Sequence, residues 1–359
     1  VTSKRSSTVV VIAALLGLGV AMRDAMAGPW VDDQAGHGFV QLSYSRYSAD
    51  HYFSGPGESA GSKDLKQGTL RHITIPLSPP NSFAPEAVNS KYLAQDALFY
   101  GEVSLSHGFG VVASMPLVRY ISEDIAVTPS ATLSQLNIGD LNLGAKYQIP
   151  HIKALHGFDF GPQIFFTAPT GDVNGRAAYP ARVLTAFPGT TPLPIPTGNG
   201  VADMEMRGSF GYSFYPVPIF LTADVGYRHR LDEAVCTNPA ATPKTTSISY
   251  SDDLPWAVQA GGSWSPKKKG FDHLTLIAAV SGVHSFENGD VPGRNTPFKG
   301  SLFTNPCGQA NNYSALNLGG TIMIYPIKYF GVSYSIAHTL AGVNAGYGLT
   351  NTVGFVSQF

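Results

Sequence analysis

From Phe39 to the C-terminus apolar residues fall at every second position over stretches of about a dozen residues, the period of a β-strand with two unlike faces. Helical periodicity is scarce. Leu141, Leu143, Ala145 and Tyr147 interleave with Asp140, Asn142, Gly144 and Lys146. Phe158, Phe160, Ile164 and Phe166 oppose Asp159, Gln163 and Thr167, and Met204, Met206, Phe210 and Tyr212 oppose Asp203, Glu205, Arg207 and Ser209. Leu221, Ala223, Val225 and Tyr227 likewise oppose Asp224, Arg228 and Arg230. The pattern predicts twelve strands, near 38–48, 94–107, 110–119, 137–148, 158–168, 201–214, 219–230, 254–265, 271–284, 313–325, 328–340 and 347–359. Residues 49–93 are either a long first loop or hold an extra hairpin around Thr69–Leu77, which raises the count to fourteen.

The polar face decides what kind of sheet this is. Only 13% of the 359 residues are charged, where a soluble domain carries about 25%. The chain is also rich in aromatics, with 20 Phe, 17 Tyr and 3 Trp. A soluble sandwich needs many more Lys and Glu on its outer positions. In a membrane barrel the apolar face meets lipid, the polar face lines the lumen, and closure pairs every backbone donor. The expected fold is therefore all-β, a transmembrane antiparallel β-barrel.

The joints between strands support this. Tight ones are expected at His107 to Phe109, Tyr215 to Pro218, Pro266 to Gly270 and Tyr325-Pro326-Ile327; long ones rich in Pro, Gly, Asn and Thr at 120–136, 171–200, 231–252 and 286–310. Short periplasmic turns alternating with long outward loops are the habit of outer-membrane barrels. Tyr147, Phe158, Tyr215, Trp264, Phe271 and Tyr325 cluster near the short turns, as an interfacial girdle does.

Composition sharpens the picture. Past residue 27 no apolar run reaches the length of a spanning helix. Residues 1–27 read as a signal peptide: Lys4 and Arg5, an apolar stretch from Val9 to Met22, then Ala25-Met26-Ala27, leaving 28–359 as one barrel domain. Their removal takes away Lys4, Arg5, Arg23 and Asp24 and moves the formal charge from −1 to −3, so nucleic acid is not an expected partner. Cys236 and Cys307, in an exported chain, are expected to form a disulfide between two outward loops. A metal site is disfavoured, since structural zinc wants four ligands.

The C-terminal strand ends on Phe359, with Val353 and Phe355 at alternate upstream positions; this resembles the signal read by the barrel-assembly machinery. Gly139-Asp140-Leu141-Asn142-Leu143-Gly144-Ala145-Lys146-Tyr147, Ala168-Pro169-Thr170-Gly171-Asp172 and Leu105-Ser106-His107-Gly108-Phe109-Gly110 resemble a family of bacterial outer-membrane proteins named after the meta-pathway of phenol degradation. The resemblance implies a Gram-negative outer-membrane barrel, set in lipid and lipopolysaccharide, serving uptake. It supplies no catalytic residues and no cofactor. The Asn-Pro-Ala signature of fatty-acid and hydrocarbon channels belongs near the mature N-terminus; here Asn238-Pro239-Ala240 lies mid-chain.

The charged positions of the inner face are the candidate selective element. Strand parity groups Asp203, Glu205 and Arg207 with Asp224, Arg228 and Arg230, with residue 205 near 228 across the hairpin; Glu102, Asp140 and Lys146 extend the lining. They either brace the lumen or form a constriction. Twelve strands enclose a narrow bore that loops can occlude, and 171–200 can fold inward as a gate or outward as a surface. No Gly-x-Ser-x-Gly, His-Glu-x-x-His or phosphate-loop motif is present. The function expected is passive uptake of small, aromatic or hydrophobic molecules without cofactor; the alternative is a structural or surface-interaction barrel with a closed lumen.

Overall fold

A computed structural model describes residues 35–53, 70–77, 86–127, 130–149, 158–188, 193–214, 216–237, 245–265, 273–286, 313–343 and 345–359. Twelve antiparallel strands form the wall: β1 Gly38–Phe53, β2 Glu86–Ser106, β3 Phe109–Ile125, β4 in two collinear pieces (Ala131–Asn137 and Leu141–Tyr147), β5 Phe158–Ala168, β6 Asp203–Ser213, β7 Ile219–Arg230, β8 Asp253–Trp264, β9 His273–Ser285, β10 Ser314–Ile327, β11 Phe330–Val343 and β12 Ala345–Gln358. Each pairs with its chain neighbour. β1 pairs with both β2 (Gly38 opposite Val103) and β12 (Phe39 opposite Gln358), so the sheet closes on itself.

The faces are inverted relative to a soluble protein. Leu42, Phe109, Leu143, Phe166, Met206, Leu221, Val258, Leu276, Leu318 and Phe355 are exposed, while Ser45, Gln163, Ser209, Thr222, Gln259 and Thr352 are buried. An apolar outside and a closed edge are what lipid demands. No described helix is long and apolar enough to cross a membrane. The protein is a Gram-negative outer-membrane barrel.

The tight ends identify the periplasmic side. His107 and Gly108, both at positive φ (50° and 78°), join β2 to β3, the backbone of a two-residue hairpin turn that suits the strands' twist. Lys328 and Tyr329 join β10 to β11. That turn lies beyond the Tyr325-Pro326-Ile327 joint expected from sequence, which instead ends β10 across a bulge between Ile324 and Ile327. Tyr325 is buried, pointing inward and stacked on His273 with ring centroids 4.0 Å apart, so it does not belong to the outer girdle. Tyr147 does face outward, 4.5 Å from Phe109 between centroids.

A spanning strand needs about 9–11 residues; β1, β2 and β3 have 16, 21 and 17, so they rise past the membrane on the outer side. The expected loop at 120–136 is largely wall: β3 continues to Ile125 and pairs with Ala131–Asn137. Among the described residues, 49–93 add no further spanning strand. Leu70–His72 pairs with the outer end of β1 and Thr74–Leu77 with the outer start of β2, prolonging the wall above the membrane.

The strand pairing is irregular at several points, and at one of them β3 and β4 each carry an extra residue. Inward positions step from Ser114 to Arg119 in β3 and from Asn142 to Asn137 in β4, an odd interval in both, and the pairing register is the same on either side. Leu117 is the bulged residue against β2, next to Pro116, which has no N–H to give. Gly139 N–H donates to Pro116 O at 2.9 Å. Thr170 Oγ1 donates to Gly139 O at 2.7 Å and accepts from Leu141 N–H at 3.0 Å, stitching the break from the other side.

After β5 the chain turns into the lumen instead of continuing outward. Arg176–Ala177 pairs with Leu193–Pro194, with the one-turn helix α1 Ala181–Ala186 between them. Ala177, Tyr179, Val183 and Ile195 of this plug pack in one cluster with Tyr47, Tyr52, Tyr92, Ile121, Ile125 and Leu133 of the wall. The outer half of the lumen is therefore largely apolar, with Ser90, Ser122 and Glu123 as its buried polar groups, a correction to the polar interior read from the alternation. Burial pushes the Tyr179 phenol above its ordinary pKa, and neighbouring Glu123 adds to that.

Of the remaining long joints, 231–252 folds back as a hairpin of Ala234–Thr237 with Thr245–Ile248. Cys236 lies on its first strand opposite Thr246; Cys307 is outside the described residues, as are the joint around it and residues 1–27.

Candidate functional site

The middle of the lumen is ionic, and the hairpin register explains why. Asp203 stands opposite Arg230, Glu205 opposite Arg228 and Ser209 opposite Asp224, all on the inward parity of β6 and β7. Glu205 accepts from Arg228 Nη2 at 2.8 Å and Nε at 3.1 Å, and from Arg207 Nε at 2.8 Å. Arg230 donates to Asp203 at 2.7 Å and, across the next strand, to Asp253 at 2.9 Å; Arg228 Nη1 lies 3.7 Å from Asp253. Three carboxylates thus meet three guanidiniums in one balanced network, every member nearly buried. Arg207 also lies over the Phe165 ring, 5.0 Å from its centroid. Gln163 Nε2 donates to Ser209 Oγ at 2.5 Å, and Ser209 in turn donates to Asp224.

Two further groups carry the ring around the wall. On the β2–β4 side Glu102 accepts from Lys146 Nζ at 2.6 Å and from Tyr100 OH at 2.9 Å. Higher up, Arg119 makes a two-pronged contact with Asp96 at 2.8 and 3.1 Å and donates its third bond to Thr197 O of the plug at 3.2 Å. Forked guanidinium–carboxylate pairs of this kind fix geometry as well as charge.

Asp140 has a different task from the other acidic groups. It sits at the kink of β4, where its Oδ1 accepts from Gly171 N–H at 2.9 Å and its Oδ2 from Asn199 N–H at 2.8 Å. Gly171 and Asn199 are the entering and leaving ends of the plug, so one carboxylate clamps both. The two ends touch: a Cβ on Gly198 would lie 2.6 Å from Gly171 Cα, leaving room only for glycine. Thr197 Oγ1, accepting from Asp172 N–H at 3.0 Å, closes the neck.

Seen together, Asp203, Glu205, Arg207, Asp224, Arg228 and Arg230 form one cluster, Glu102 and Lys146 a second, and Asp140 a separate clamp. Asp253, Asp96, Arg119 and Phe165 join them without having been singled out in the sequence. Asp253 has the parity of Gln259 but lies one residue before the strand expected there. Arg119 follows the bulge, where the alternation changes phase. Among the described residues no group of three or more His, Cys, Asp and Glu is placed to hold a metal ion.

No family model and no curated protein matches the sequence. Solved structures do. An outer-membrane channel of Pseudomonas putida F1 superposes with a TM-score of 0.54 at 9% identity, covering 91% of this chain and 96% of that one. The monoaromatic hydrocarbon channel CymD gives 0.43 at 10% identity over 98% and 94% of the two chains, and the translocator domain of the autotransporter NalP from Neisseria meningitidis 0.43 at 11% over 97% and 99%. The first of these likenesses establishes a shared barrel fold.

Proposed function

We propose that the protein is a gated outer-membrane channel for the passive uptake of small hydrophobic molecules, aromatic ones among them. One observation carries the reading: the plug seats on the lumen wall through an apolar, largely aromatic face, Tyr47, Tyr52, Tyr92, Ile121 and Leu133 against Tyr179, Val183 and Ile195. When the plug withdraws, the exposed wall gains free energy from an apolar occupant, at about 25 cal/mol per Å² covered. A porin for ions and sugars has no use for such a surface. The ionic groups below brace the wall, since Asp96, Glu102, Asp203, Glu205 and Asp253 each already meet a cationic side chain.

The resemblance to the phenol meta-pathway family supports the same solute class, and the outer-membrane channel of similar fold supports passage through the barrel. Export by residues 1–27, recognition of Phe359 by the assembly machinery and contact with lipopolysaccharide belong to the proposal. So does a bond between Cys236 and Cys307, expected to speed migration of the unreduced, denatured protein on a gel; unchanged mobility on reduction counts against it.

The test is uptake of labelled toluene by cells carrying the protein in an outer membrane stripped of other channels. Faster entry than in cells without it is expected. No gain for any apolar solute supports the second reading, a structural barrel with a permanently closed lumen, which the seated plug also favours.

A further inference from the structure

The ring of polar groups at mid-lumen is of two kinds. From β2 round to β8 it is ionic: its guanidiniums and Lys146 meet carboxylates. The unpartnered atoms there, Glu123 Oε2, Gln163 Oε1 and Thr222 Oγ1 among them, belong to side chains that are otherwise scattered among these pairs. From β10 through β11 and β12 to β1 it is neutral, and there Asn317 Oδ1, Thr339 Oγ1, Thr350 Oγ1 and Tyr47 OH are buried with no hydrogen-bond partner among the described residues. All four point inward on adjacent strands: Asn317 stands opposite Thr339, and Thr350 opposite Tyr47. Native proteins seldom leave one such group unpaired, and here four lie side by side.

The same strands show that pairing was within reach. Just below, toward the periplasm, Thr321 and Ser335 share a hydrogen bond of 2.9 Å, and Thr352 donates to Ser45 at 3.0 Å. Only the row under the plug's apolar cluster is left open. Tyr47 belongs to both environments: its ring packs in the cluster, 6.2 Å from that of Tyr92 between centroids, while its hydroxyl joins the unpaired row. A Cβ on Gly348 would fall 2.4 Å from that hydroxyl, so the glycine makes the space it occupies.

We infer that Asn317, Thr339, Thr350 and Tyr47 are the specificity-determining groups of the channel, binding the hydroxyl or carbonyl of a compact apolar solute whose body replaces the plug. This rests on the channel reading and narrows its solute class from bare hydrocarbons to hydrogen-bonding ones. The row offers donors and acceptors without net charge, so it receives a neutral polar group and has nothing to offer an ion. A bare hydrocarbon leaves the row unsatisfied, and sites built to hydrogen-bond a substrate hydroxyl discriminate against analogues that lack it.

The experiment compares uptake of labelled benzyl alcohol and toluene by cells carrying the wild-type protein, Asn317→Leu, or the double variant Thr339→Val with Thr350→Val. Barrel folding is checked by heat-modifiable gel migration. The benzyl alcohol to toluene ratio is expected to fall about fivefold in both variants, the effect of one ordinary hydrogen bond. Thr321→Val, whose hydroxyl has its own partner, should leave the ratio unchanged. An unchanged ratio in both test variants, with wild-type uptake intact, overturns this inference alone; wild-type uptake of neither solute overturns the channel reading with it. A second measurement needs no transport. Because the two threonine hydroxyls lack partners in the closed barrel, the valine double variant should melt a few degrees higher in detergent; a lower melting point means that they are paired, and the inference falls.

Discussion

Glu205 and Glu123 are both carboxylates buried inside the barrel, and their surroundings assign them opposite signs. Glu205 accepts from two guanidiniums, so its loss leaves a buried network one positive charge in excess. Glu205→Gln should cost roughly 3–5 kcal/mol, the usual penalty for breaking a buried pair from one side. Urea unfolding of the barrel in lipid measures it, and a loss below about 1 kcal/mol would show the network to be idle. Glu123 accepts from Ser90 Oγ at 2.5 Å and keeps its other oxygen buried without a partner. Burial raises the Glu123 carboxyl pKa to about 8, so the folded barrel holds it protonated at neutral pH while the unfolded chain ionises it. Glu123→Gln keeps an acceptor for Ser90 and removes that cost, so stability at neutral pH should rise by about 1 kcal/mol or more in the same assay, and the gain should fade as the pH drops toward about 4. The pairing of 205 with 228 was legible in the sequence because two alternating strands joined by a short turn fix a register. The Arg119–Asp96 pair was not, because the bulge at Leu117 moves Arg119 off the parity that its strand begins with.

At the level of elements, alternation marks strands well only where it stays in phase. β5 and β7 match their predicted limits, 158–168 and 219–230, because nothing interrupts them. β3 and β4 slip phase together at Pro116–Val118 and Ile138–Asp140, so their outer continuations looked like loop, and a joint was expected at 120–136 where wall stands. The plug was harder still. Its prolines suppress any periodicity, and whether it folds in or out depends on contacts with wall residues far away in sequence, Asp140 and Arg119 among them. Those contacts make it testable as a unit. Asp140→Ala removes both acceptors at the neck, and hydrogen bonds to a charged group contribute about 1.5–3 kcal/mol each. Opening should become at least about tenfold more frequent, seen as faster amide exchange across 171–199 and as more frequent conductance steps in a planar bilayer. Exchange confined to its wild-type rate would mean that the apolar seat alone holds the plug.

For the whole molecule the decisive quantity is the sidedness of the sheet, which scarce charge and abundant aromatics make readable in the sequence. Val258 and Gln259 are chain neighbours on β8, one exposed on the outer face and the other buried in the lumen. Val258 lies between Ala223 and Val280 on the flanking strands, six residues from Trp264 at the periplasmic end of β8, which puts it near the middle of the bilayer. An arginine at that depth on the lipid face costs roughly 2–4 kcal/mol. Val258→Arg should therefore destabilise the barrel by about that amount in bilayers and by much less in detergent, where the side chain can reach water. Gln259→Arg enters a space lined by polar side chains, and its cost should differ little between the two media. Equal penalties for Val258→Arg in lipid and in detergent would mean that this face does not meet the hydrocarbon core, and the channel reading would lose its frame. A penalty specific to lipid would fix the orientation on which both the plug and the polar row depend.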